Sequence, residues 1–129
     1  MNEESKANIL KIFLIVTGLF FLVGLYPMMN FIAPESWGWT PRQSEYEQMI
    51  VIIYATLGVF LILAAKNPKQ HRSLLWFTVW SSITHGGLMF IQALVSDGHE
   101  HDNLVGDVPA LFAVAIVLWY LMPKQDLAE

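Results

Sequence analysis

Two groups of side chains in this sequence have the types and spacing to do chemistry. The first lies in an apolar run from Leu74 to Val95, where steps of four and three residues from Thr78 lead to Ser82, His85, Met89, Gln92, Ser96 and His99. A helix puts these positions on one stripe. An imidazole, an amide and several hydroxyls at that period make a surface that donates and accepts hydrogen bonds over most of the depth of a bilayer. Polar groups at that depth are costly in lipid and face a bundle interior or a cavity. His85 stands near the midpoint of its run, and depth-matching brings Thr17, Tyr54 and Thr56 of two other apolar runs to its level as one polar layer. The expected ligand-binding set is therefore His85, Gln92, Ser82 and Tyr54. Its partners are either neighbouring helices, through the polar contacts common in membrane bundles, or a lipophilic carbonyl or phenol.

The second group is Asp97-Gly98-His99-Glu100-His101-Asp102. Imidazole and carboxylate suit zinc, copper, nickel or iron, and an extended H-x-H aims both rings at one ion, whereas on a helix they diverge. His99, His101, Asp97 and Asp102 form a candidate metal set. A solvated acidic loop is the competing reading, because a short histidine-rich tract is compositional evidence alone. His85 is the one histidine inside an apolar run, so bis-histidine haem would need a second copy or another subunit. The sequence has no P-loop, dinucleotide-binding glycine motif, nucleophile elbow or intramembrane carboxylate pair. It has no cysteine and hence no thiolate chemistry. No cofactor is identified.

The elements that must position these groups follow from composition. Of 129 residues, 55% are hydrophobic and 14% charged, against about a quarter charged in soluble domains. A soluble enzyme of this size is excluded. The net charge of −4, with no basic cluster, excludes nucleic acid as a partner. The apolar residues gather in four runs at about 9–29, 48–65, 74–95 and 104–122, which suit helices crossing about 30 Å of hydrocarbon. Lys6 and Lys11 precede a run that resembles the hydrophobic part of a signal peptide, but no A-x-A-like site follows, so it reads as a retained span. Ser44 and Glu47 fit a capping box for the second run, and Asn67-Pro68 ends it. Asp107 and Pro109 look like a cap and a first-turn proline, which leaves the fourth helix short and calls for a kink or local thinning. The predicted fold is an all-α, antiparallel four-helix integral membrane bundle forming one domain over 1–129.

Six of the seven basic residues, Lys6, Lys11, Lys66, Lys69, Arg72 and Lys124, fall on one side of these spans, and only Arg42 on the other. This predicts cytoplasmic termini. The outer face is then acidic, with Glu35, Glu45, Glu47, Asp97, Glu100, Asp102 and Asp107, and Trp37, Trp39 and Tyr46 are expected as interfacial anchors.

One resemblance emerges from the middle of the chain. Tyr54, Thr56, Leu57 and Gly58, then Ala64-Ala65-Lys66-Asn67-Pro68, Arg72-Ser73-Leu74, Phe77-Thr78 and Trp80-Ser81-Ser82, followed by His85, Met89 and Gln92, resemble a bacterial family of small four-span membrane proteins of unknown function. Size and topology are more distantly similar to DoxX-like membrane proteins. The resemblance implies no substrate, cofactor or catalytic residue, and the histidine-rich loop is not part of its pattern. Together these readings predict a non-enzymatic, multi-pass protein of the bacterial inner membrane, an accessory or assembly partner with a polar interhelical pocket. Its partners would be the lipid bilayer and other membrane subunits or a second copy. A quinone-linked or redox membrane protein and an outer-face metal-binding protein are the alternatives. Four spans with one buried ionisable residue offer little for alternating-access transport by a monomer.

Overall fold

Each apolar run becomes a long helix in the structure, a computed structural model that describes residues 1–39, 41–98 and 101–125. Helix α1 spans Glu3–Ile32, and a single short turn, α2, covers Pro34–Trp37. Helices α3, α4 and α5 cover Ser44–Ala64, Arg72–Val95 and Asp107–Leu121. The 3-10 turns Pro68–His71 and His101–Val105 lead into α4 and α5. No strand occurs among the described residues. Four segments are long and apolar enough to cross a membrane, and the chain is an all-α four-helix bundle of the multi-pass membrane type.

The helix ends follow local chemistry more closely than the limits of the apolar runs. Asn2 caps α1 by accepting from the Ser5 N–H at 2.8 Å, and Glu3 and Glu4 sit at its positive end. The helix therefore starts well before the apolar residues do. At α3 the expected capping box is not formed: Gln43 is the N-cap and Ser44 the first helical residue. Glu47 reaches back to the Gln43 N–H at 3.3 Å, but its carboxylate is occupied by Arg42. At α5 the N-cap is Gly106, with Asp107 in the first turn. The helix has 15 residues, as short as Asp107 and Pro109 implied, and the preceding 3-10 turn extends the segment to 21 residues.

Packing divides the bundle into two hairpins. Helix α1 lies along α3, α4 lies along α5, and α1 also meets α5. At the α1/α3 crossing a Cβ added to Gly18 would come within 2.6 Å of the Gly58 carbonyl oxygen, and one on Gly58 within 2.5 Å of the Gly18 oxygen. Only paired glycines let the two backbones approach so closely. The fully buried side chains Leu10, Leu14, Leu61, Leu75, Val79 and Leu118 fill the half of the bundle that carries the termini. There Lys124 pairs with Glu3 at 3.1 Å, and Lys6 lies 4.7 Å from the centre of the Tyr120 ring. By contrast α3 and α4, although joined by a short connection, scarcely approach each other along their length. The large side chains on the outside, among them Ile12, Val23, Ile53, Phe77 and Trp119, are exposed and apolar, as lipid contact requires.

Candidate functional site

The half of the bundle away from the termini is built differently. In place of interdigitated leucines it contains a cavity of about 290 Å³ between α1, α3, α4 and α5. Its apolar wall includes Phe20, Phe21, Leu25, Met29, Met89 and Leu111, and Trp37 and Trp39 line it from the loop after α1. Helix α1 passes the cavity through two π turns, Phe20–Gly24 and Met28–Ile32, on either side of Leu25–Pro27. Pro27 has no N–H to give to the carbonyl four residues back, and its ring crowds that carbonyl. The wider turns relieve this crowding. They also set the side chains of α1 that face the cavity.

Four polar side chains interrupt the apolar wall: Thr17, Tyr54, His85 and Asp107. The Tyr54 Oη lies 2.5 Å from His85 Nδ1, across the gap between α3 and α4. The phenol donates when Nδ1 is unprotonated, and neutral imidazole then carries its proton on Nε2. The pair thus retains one N–H donor and the phenol oxygen as an acceptor. Phe21 stands edge-on to Tyr54, with ring centres 5.0 Å apart at 78°, and holds the phenol in place. Asp107 sits in the first turn of α5, where free amides favour a carboxylate, and its Oδ1 accepts from Asn103 Nδ2 at 3.0 Å.

The connections at this end fold back over the cavity. Asn103, 4% exposed, also donates to the carbonyls of Ser36 and Gly38 at 3.3 and 3.4 Å. A Cβ on Gly106 would fall 2.0 Å from the Ser36 oxygen, so only glycine lets α2 come this near. On the other flank Arg42 makes a two-pronged pair with Glu47, Nε to Oε1 at 3.1 Å and Nη2 to Oε2 at 2.8 Å, and Nη2 also reaches Asn30 Oδ1 at 2.7 Å. Arg42, the lone cation on this side, is an anchor for the buried Glu47 carboxylate. Trp37 packs edge-on against Phe20 at 5.6 Å. Trp37 and Trp39, expected at headgroup level, are half-buried and face the cavity, because α2 turns them inward; Tyr46 is exposed.

The residues expected to bind a ligand are only partly assembled. Tyr54 and His85 meet on the cavity wall. Gln92 lies further along α4 in a small separate recess with Trp39, Met89 and Asn103. Ser82 is 2% exposed and packed between helices, away from that wall. Thr56 leaves the expected polar layer: it is exposed, and its hydroxyl donates to the Ile52 carbonyl at 2.9 Å. Of the proposed metal set, His99 lies outside the described residues, as does Glu100. Asp97, His101 and Asp102 are exposed, and His101 opens a 3-10 turn where an extended segment was expected. Among the described residues no three histidine or acidic side chains gather closely enough to hold a metal.

A match to a family model spans residues 4–128, from the first turn of α1 through α5, and takes in every residue of the cavity wall. The chain belongs to a family of unknown function, DUF6632. No curated protein and no solved structure matches it. What a DUF6632 chain of this kind can do must therefore be argued from its cavity. Asp107, read beforehand only as a helix cap, is a wall residue. Asn103 and Asn30 carry no sequence signal; the sequence marks Arg42 as the lone basic exception and Glu47 as half of a capping box, and does not pair them.

Proposed function

We propose that this protein is a non-enzymatic accessory protein of the bacterial inner membrane that holds a lipophilic molecule by a carbonyl or phenol head in the cavity beside Tyr54 and His85. The observation that carries this reading is the Tyr54–His85 pair, a coupled donor and acceptor on an otherwise apolar wall. Small-molecule sites have this composition: mostly apolar lining, with a few convergent polar groups that fix orientation. A quinone ring, with carbonyl oxygens at its edge, suits an imidazole N–H donor, and its reduced phenol suits the Tyr54 oxygen. The aromatic rings of Phe21, Trp37 and Trp39 offer stacking surfaces for such a head.

The orientation that goes with this reading has cytoplasmic termini and the cavity in the outer half of the membrane. Its support is the segregation of six of the seven basic residues, and the exception, Arg42, is neutralised by Glu47. The test is titration of the detergent-solubilised protein with a short-tailed benzoquinone, followed by quenching of tryptophan fluorescence and by calorimetry. We expect saturable binding, weakened about fivefold by Tyr54→Phe and by His85→Leu, because one hydrogen bond to the head is worth about 1 kcal/mol. A folded wild-type protein that binds neither the quinone nor the quinol overturns the reading.

A further inference from the structure

We infer that the ligand enters and leaves sideways, from the lipid, through the seam between α3 and α4, and that the Tyr54–His85 pair is the closure of that port. The inference rests on the ligand-binding reading above and adds a route to it. The seam is where the bundle is least closed, since α3 packs along α1 and α4 along α5, and the two scarcely approach each other. On the outer side of the seam lies a groove of about 500 Å³, lined by Ile53, Leu57, Phe77 and Leu88, with Ser81 and Thr84 on the α4 edge. Tyr54 and His85 line this groove and also the inner cavity. The partition between lipid and cavity at this point is therefore thin: the Tyr54–His85 pair, with Ile50 beside it, which also lines both spaces. Rotation of Tyr54 away from His85 gives up one hydrogen bond and the edge-on contact with Phe21.

The other directions are closed by more than one pair. Toward the termini, Leu10, Leu14, Leu61, Leu75 and Leu118 are fully buried. At the loop end Trp37 and Trp39 line the cavity, and Asn103 and the Arg42–Glu47 pair tie the loops that carry them. The size of the cavity points the same way. At about 290 Å³ it lies at the low end of the roughly 300–1,000 Å³ of small-molecule sites, room for a ring head but not for a long alkyl or isoprenoid tail. The tail of a membrane-dissolved amphiphile would lie in the groove between α3 and α4 and continue into lipid. A port placed there lets the head bind without withdrawing the tail from the bilayer.

The chain has no cysteine, so a Cys pair introduced as Ile53→Cys with Leu88→Cys can be bridged selectively by a flexible bis-methanethiosulfonate and released by reductant. Stopped-flow quenching with the short-tailed benzoquinone then reads both rates. With the seam bridged, association and dissociation should both slow by about tenfold or more relative to the same variant after reduction, since a gate alters barriers. Reduction should restore both rates. Unchanged rates in the bridged protein overturn the port and direct the ligand to the loop end, where Trp39, Tyr46 and Glu47 line a second recess. The two readings fail separately: the binding reading is decided at equilibrium in the unbridged protein, and the port only in the rates. Loss of quinone binding in every folded form removes the port with it.

Discussion

The two halves of this bundle are made from the same four helices and yet are packed on opposite plans. Near the termini, leucines and valine interdigitate at 0–2% exposure. In the other half, aromatic rings, methionines and four polar side chains surround an open volume, and α1 departs from α-helical geometry twice. Close packing is the default for a protein interior, and voids larger than a water molecule are few. An aromatic-lined space with a Tyr–His pair on its wall is thus a feature kept at a cost in packing. The sealed half supplies the close packing that the hollow half forgoes.

The comparison breaks first if the two halves are equally tolerant of substitution. The largest effect is expected at the α1/α3 crossing. Gly58→Val places side-chain atoms against the Gly18 carbonyl oxygen, already 2.5 Å from an added Cβ, and the helices must separate. A loss of about 3 kcal/mol or more is expected, read as a lowered midpoint of denaturation by sodium dodecyl sulfate from a milder detergent. Ala110→Val on the α5 wall of the cavity is the contrasting substitution: it faces open volume and should change stability by less than about 1 kcal/mol.

A second contrast sharpens it. Leu61→Ala empties a site at 0% exposure in the sealed half and should cost about 3 kcal/mol, in the range for leucine truncation in a close-packed interior. Met89→Ala, on the cavity wall, removes a side chain that already lacks partners on one side and should cost about 1–2 kcal/mol. Equal losses in a denaturation series would mean that the space beside Met89 is filled by lipid or by a partner helix.

These contrasts also mark what was legible beforehand. Span number, helical class and the shared level of Tyr54 and His85 follow from counting 1.5 Å per residue along apolar runs. The pairing of Tyr54 with His85 is that counting made physical. Gln92 shares the stripe of His85, but seven residues are two turns, about 10 Å along the axis, which carries it out of the cavity to the level of Trp39 and Asn103. Thr56 is two residues from Tyr54, about 200° around the helix, and so faces outward. A stripe specifies a face but not a pocket. The loop contacts have no periodicity to reveal them: Asn103 meets the Ser36 carbonyl across 67 residues of chain, and Glu47 preferred Arg42 to the cap its spacing suggested because a guanidinium offers a charged two-pronged partner.

The loop ties give the next effect in size. Glu47→Gln leaves a buried amide opposite Arg42, whose side chain is 44% exposed and can turn to water, so the cost should be about 1–2 kcal/mol rather than that of a fully buried pair. Asn103→Ala removes the donor to Ser36, Gly38 and Asp107 together and should cost a similar amount. The diagnostic readout is local: faster amide exchange in 34–47 and a red shift of tryptophan emission, with the sealed half unchanged. A uniform rise in exchange through both halves would mean that the loops stabilise the whole bundle and are not merely the roof of one part of it.

The smallest effect concerns the acidic segment before α5, where a histidine and a carboxylate stand side by side among the described residues. His101 and Asp102 are exposed, and closing such a loop around an ion would sacrifice conformational freedom. Zinc or copper binding there should accordingly be weak and leave the midpoint of denaturation nearly unchanged. An imidazole must be neutral to ligate, so whatever affinity exists should be weaker in mildly acidic than in neutral solution. Calorimetric titration at neutral and mildly acidic pH, on the parent protein and on His99→Ala with His101→Ala, separates the outcomes. Equal binding by both proteins eliminates the loop as a metal site. Tight, pH-dependent binding lost only in the double variant would make the loop a second functional region, and the contrast between a supporting half and a binding half would then need a third part.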